Sequence, residues 1–139
     1  MTKKTYNVGD VVLVPIDDSF FAFGRLMNDV SIAIYNLTSH TSIDVRDLVG
    51  KDVLFDAGVF DTNIVNGEWK IIGSIPFNTP DESWPTPKYI RDVVKPGHYS
   101  VYYKGEIEAC SEREALELEQ QLMYKPDQLV GEIKKRFEL

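Results

Sequence analysis

Residues 11–35 run Val11-Val12-Leu13-Val14-Pro15-Ile16, Asp17-Asp18-Ser19, Phe20-Phe21-Ala22-Phe23-Gly24-Arg25-Leu26-Met27, Asn28-Asp29, Val30-Ser31-Ile32-Ala33-Ile34-Tyr35. Val11 to Ile16 is a short β-branched apolar run, the pattern of a strand buried on both faces. Asp17-Asp18-Ser19 is a turn cluster. Phe20 to Met27 then sets Phe21, Phe23, Arg25 and Met27 on one face and Phe20, Ala22, Gly24 and Leu26 on the other. Asn28-Asp29 tolerates positive φ and sits where a tight hairpin turn belongs. Val30 to Tyr35 alternates again. Together the three segments predict an antiparallel meander.

Working outward, Val53 to Val59 reads as a further strand and Asn66-Gly67 as a hairpin turn leading into Trp69 to Ile75. Five of the seven prolines (Pro76, Pro80, Pro85, Pro87 and Pro96) then fall in one stretch that also holds Trp84 and Tyr89. Proline lacks the amide that a central strand or helix interior needs, so this stretch predicts a long ordered connection. Tyr99 to Tyr103, Lys104-Gly105 and Glu106 to Ala109 form a second hairpin pattern. Ser111 and Glu114 have capping-box spacing, followed by Ala115, Leu118 and Leu122 at helical intervals. Pro126 suits the first turn of another helix, with Leu129, Val130, Ile133 and Phe137 as its apolar stripe. The expectation is one α+β domain over 1–139, strand-rich from 8 to 109 and helical from 111 to 137. Its mostly antiparallel β-sheet would be twisted or a partly closed barrel, carrying two C-terminal helices.

The 139 residues suit one core, and 43% hydrophobic with 27% charged content excludes a disordered chain. Fifteen Lys plus Arg against twenty-two Asp plus Glu leave a net charge of −7. A phosphate-binding protein needs a basic footprint that this balance lacks, so nucleic acid is not an expected partner. The single cysteine, Cys110, cannot make an intramolecular disulfide, and a reducing compartment is expected. The apolar run at residues 11–14 is too short for a signal-peptide core, and no stretch approaches the ~20 apolar residues of a membrane helix. The expectation is a cytoplasmic protein without a membrane partner.

Catalytic patterns are sparse. His40 and His98 are the only histidines, and no phosphate loop, H-E-x-x-H or C-x-x-C occurs. Neither catalytic residues, metal ligands nor a cofactor are expected. Cys110 reads as an inert thiol and His98 as a turn histidine. Arg25 reads as an arginine packing its stem at a sheet edge or meeting a carboxylate, against a charged anchor among aromatics. Glu119 falls inside the apolar arc of the expected helix, either paired with Arg25 or Arg91 or escaping at the arc's edge.

Charge is unevenly spread. Residues 105–120 hold Glu106, Glu108, Glu112, Glu114, Glu117 and Glu119 against Arg113, so −5 of the chain's −7 lies in sixteen residues. A solvated face explains part of this, with some benefit from acids near a helix start. The functional reading is a patch that steers toward a basic partner. Trp84 and Tyr89 read equally as caps on the core or as binding hot spots. Glu106, Glu108, Glu114, Glu117, Trp84 and Tyr89 are therefore the candidate partner-binding residues.

Three motifs carry a family resemblance. Val8-Gly9-Asp10-Val11-Val12-Leu13-Val14-Pro15-Ile16 with Phe21-Ala22-Phe23-Gly24-Arg25-Leu26 is the first, and Trp69-Lys70-Ile71-Ile72-Gly73-Ser74-Ile75-Pro76 the second. The third is Trp84-Pro85 with Pro87-Lys88-Tyr89, running into Tyr102-Tyr103-Lys104-Gly105-Glu106 and the acidic helix. In these the chain resembles the immunity protein 26 family of bacterial polymorphic-toxin systems. The resemblance covers most of the chain in order, and residues 38–66 carry little of it. It implies a mostly-β protein that protects its cell by binding and occluding a cognate toxin, with nucleases among the candidate toxins. The toxin is expected to be basic, and the oligomeric state stays open. The alternatives are a small SH3-like barrel enzyme of nuclease type and a small-ligand-binding β module.

Overall fold

The computed structural model describes residues 6–138, in which ten strands form two open sheets accompanied by three helices. The quoted stretch supplies β1 (Asp10–Pro15), β2 (Phe21–Met27) and β3 (Ser31–Ser39), paired as an antiparallel meander. They are joined by β4 (Val53–Val59), β5 (Ile71–Ser74) and β10 (Met123–Tyr124) in the order β10-β4-β3-β2-β1-β5. Neither sheet closes into a barrel.

The first sheet is covered on both faces, which is why β1 and β3 read as unbroken apolar runs. On one face Val12, Val14, Ile32 and Ile34 join Trp69 and the C-terminal helix residues Leu129 and Ile133. On the other, Val11, Phe23 and Tyr35 pack with Leu48, which a 3₁₀ turn at Val45–Leu48 delivers. Gly24 leaves room for Ile32: a Cβ there would lie 2.3 Å from Ile32 Cδ1, so that side chain would have to shift.

The β2–β3 turn lies one residue later than its sequence suggests. Asp29 and Val30 are the two positive-φ residues, at 65° and 49°. A β-branched side chain is poorly accommodated there, at a cost of roughly 1–2 kcal/mol. Val30→Gly is therefore expected to raise stability by about 1 kcal/mol, read as a higher melting temperature with unchanged circular dichroism.

The Asn66-Gly67 hairpin is not formed. Gly67 at φ +84° closes a helical turn, α1 (Thr62–Val65), and its amide bonds Ile64 O at 3.3 Å. This turn lets the chain leave β4 and reach the opposite edge, where β5 pairs with β1.

The second sheet has the order β8-β7-β6-β9, from β6 (Lys88–Arg91), β7 (Tyr99–Tyr103), β8 (Glu106–Cys110) and β9 (Glu119–Gln120). β6 is an interior strand within the proline-rich stretch, contrary to expectation. It fits between Pro87 and Pro96, where eight successive residues keep their amides.

The two C-terminal helices differ in outcome. α3 (Pro126–Phe137) forms with Pro126 in its first turn and its predicted stripe inward. The capping box of Ser111 and Glu114 also forms, but α2 (Glu112–Ala115) ends after one turn. Beyond it the chain is drawn out into β9, parallel to β6, and β10, parallel to β4. One extended segment thereby stitches both sheets, and the apolar positions Leu116 and Leu122 are left exposed.

Candidate functional site

The sheets are clipped together by a buried ion pair. Asp56 interrupts the apolar strand β4, and Lys88 opens β6; their side chains are 7% and 4% exposed and directly paired. Thr86 completes the clip: its amide and hydroxyl both donate to Asp56 Oδ1 at 3.2 Å, while Lys88 Nζ donates to Thr86 O at 3.0 Å. Charges taken from water need such full coordination. The clip fixes where the proline-rich segment and β6 sit.

Beside the clip lies a groove of about 650 Å³ lined by Arg25, Phe55, Phe77, Trp84, Tyr103 and several carboxylates. Arg25 donates from Nε to Ile75 O at 2.9 Å and from Nη2 to Pro76 O at 2.7 Å, with its guanidinium 3.6 Å from the Phe77 ring centroid. It therefore secures the chain leaving β5 through its charged head, from an interior strand rather than as a stem packed at a sheet edge. Among the described residues it pairs with neither Glu119 nor any other carboxylate. Glu119 pairs with Arg136, which is also held by Glu132 and stacks 4.1 Å from the Phe55 centroid. Asp81 pairs with Lys104 and raises that ammonium's pKa. The groove's acidic wall is thus largely neutralised.

The acidic run is different. Glu106, Glu108, Glu112 and Glu117 are exposed and make no ion pair among the described residues. Strand register sets Tyr89, Val101 and Glu108 in one cross-strand row, with Tyr103 beside Glu106 in the next alternate row. Tyr89, Glu106 and Glu108 therefore share a sheet face, and Tyr103 links that face to the groove holding Trp84. Glu114 is committed locally, since its carboxylate accepts from the Ser111 amide and hydroxyl. Glu117 follows α2 as an exposed side chain.

The histidines lie just outside the strands, whereas Cys110 shares the face of β8 that carries Glu106 and Glu108. His40 meets Ser19 O through Nδ1 at 2.9 Å and lies against Phe20. His98 is an exposed turn residue, and Cys110 is half-buried at the end of β8. The residues that sequence reading passed over are Asp56, Thr86 and Lys88. A carboxylate inside an apolar strand was the available signal for the first.

The chain belongs to the immunity protein 26 family, whose sequence profile matches residues 7–100. That name is borne by immunity proteins of toxin systems. The match takes in the first sheet from β1 to β5, the clip, Trp84 and Tyr89, and ends just inside β7. The acidic hairpin and α2 lie beyond it, so the shared profile stops short of the third resemblance motif's end. No curated protein and no solved structure gives a match.

Proposed function

We propose that the protein is the immunity partner of a bacterial polymorphic toxin and acts in the cytoplasm by binding that toxin and occluding its working surface. Family membership supports the immunity role. The observation that carries the mode of binding is that Glu106 and Glu108, exposed and without an ion pair among the described residues, share a sheet face with Tyr89, while Tyr103 on that face also lines the groove that holds Trp84. Glu114 adds its charge to the same segment while closing the helix cap.

The physical logic has two stages. Like charges this close repel, and salt and water only partly screen them. A basic partner relieves that repulsion and is attracted from a distance, which speeds encounter more than it tightens the final complex. A nuclease fits, because its own grip on phosphate requires a basic groove. Half-buried aromatics then supply short-range energy, since their large faces leave water on contact. Neutralisation of this kind is stoichiometric and uses no catalytic group or cofactor.

Co-expression with the toxin domain encoded beside this protein's gene should restore growth, and the purified pair should elute as a stable complex. A phosphodiesterase activity of the protein itself, abolished by His98→Ala, would replace this reading with the enzymatic one. Within the complex, Trp84→Ala is expected to cost about 2 kcal/mol of binding, mostly as faster dissociation in surface plasmon resonance.

A further inference from the structure

Strand β8 is an open edge of the second sheet. Lys104 and Gly105, at φ 53° and 79°, form the two-residue turn that joins it to β7. Such a turn makes Tyr103 and Glu106 a hydrogen-bonded pair, and pairs alternate from there. Glu106, Glu108 and Cys110 thus direct their backbone groups to β7. Ile107 and Ala109 turn theirs outward, where no strand or loop among the described residues takes them. Other edges are shorter or covered: β9 and β10 have two residues each, and β5 packs against the 3₁₀ turn.

We infer that β8 is a docking strand, extended by a segment of the toxin partner that carries Lys or Arg at alternate positions. The inference rests on the immunity reading and adds how the partner is held. Strand addition satisfies the outward amides and carbonyls of Ile107 and Ala109. Glu106 and Glu108 stand two residues apart on one face, where cross-strand cations meet them. Ile107, 62% exposed on the opposite face, takes an apolar neighbour. A second copy of the chain is a poor occupant: it would bring its own glutamates against these, the arrangement by which charged edges resist self-pairing.

The test is amide hydrogen exchange on the protein alone and bound to the purified toxin domain encoded beside its gene. Binding should slow exchange at Ile107 and Ala109 by about tenfold or more, while the amides of Glu106 and Glu108, already bonded to β7, change little. Ala109→Pro deletes one outward amide without touching the β7 ladder and should raise Kd about tenfold or more. Glu108→Lys, which keeps the backbone intact, should weaken binding to a similar degree. Wild-type affinity in both variants, without new protection at Ile107 and Ala109, would overturn edge pairing and leave the immunity reading standing. Failure of the wild-type protein to bind removes both. Protection that grows with the protein's own concentration would show a second copy as the occupant, and also overturns the inference.

Discussion

Lys88→Met is expected to remove about 3–5 kcal/mol of stability in a urea titration, with the slope of the transition unchanged. The reason is what remains rather than what leaves. Asp56 would keep its two bonds from Thr86 but lose the one cation that neutralises it, in a site where its side chain is 7% exposed. A lone carboxylate so far from water holds an uncompensated charge, which is costly. Replacing both partners tells the two contributions apart. Asp56→Leu with Lys88→Met leaves no stranded charge, so the pair should lose far less than the single variant. A loss below about 1 kcal/mol for Lys88→Met would mean that the clip behaves like a surface pair.

Leu129→Ala is expected to cost about 2–5 kcal/mol by the same measurement. Leu129 is fully buried on α3 and belongs to the core cluster that includes Val12, Val14, Ile32 and Ile34. Truncating it loses the transfer energy of the removed methyls and leaves a void between a helix and a rigid sheet, which relaxes poorly. Ending the chain at Tyr124 should be worse, since it strips cover from one face of the first sheet, and loss of cooperative unfolding is the expected result. The family profile ends at residue 100, so these variants also ask whether the fold depends on residues beyond it.

Legibility in the sequence followed the range of the interactions involved. Apart from the one-residue shift of the β2–β3 turn, the meander from β1 to β3, the β7–β8 hairpin, the Ser111–Glu114 capping box and the inward stripe of α3 all form where local pattern places them. Each depends on periodicity or on contacts within a few residues. Asn66-Gly67 departs from its expected hairpin because the same dipeptide that serves a type I′ turn also ends a helical turn, and only long-range pairing of β5 with β1 decides between them. The helix expected after Ser111 stopped for a similar reason. Its apolar spacing was real, but pairing of Glu119–Gln120 with β6 and of Met123–Tyr124 with β4 outweighed local propensity.

At the candidate surface the pattern is alike. Composition was enough to locate the acidic segment, because charge density needs no tertiary knowledge. The pairing of Glu119 with Arg136, and the neutralisation of Asp81 by Lys104, join residues 17 and 23 positions apart. Asp56 and Lys88 lie 32 positions apart. Such partners become visible only once the sheets are packed. The distinction matters for function, since it separates carboxylates spent inside the protein from those left for a partner.

The association rate with the proposed cognate toxin, measured by stopped-flow against ionic strength, tests partner steering most directly. Wild-type protein should associate fast at low salt and slow steeply as salt rises. Glu106→Lys with Glu108→Lys should slow association about tenfold at low salt and flatten the dependence. An association rate that is indifferent both to salt and to this charge reversal would contradict a binding role for the acidic face.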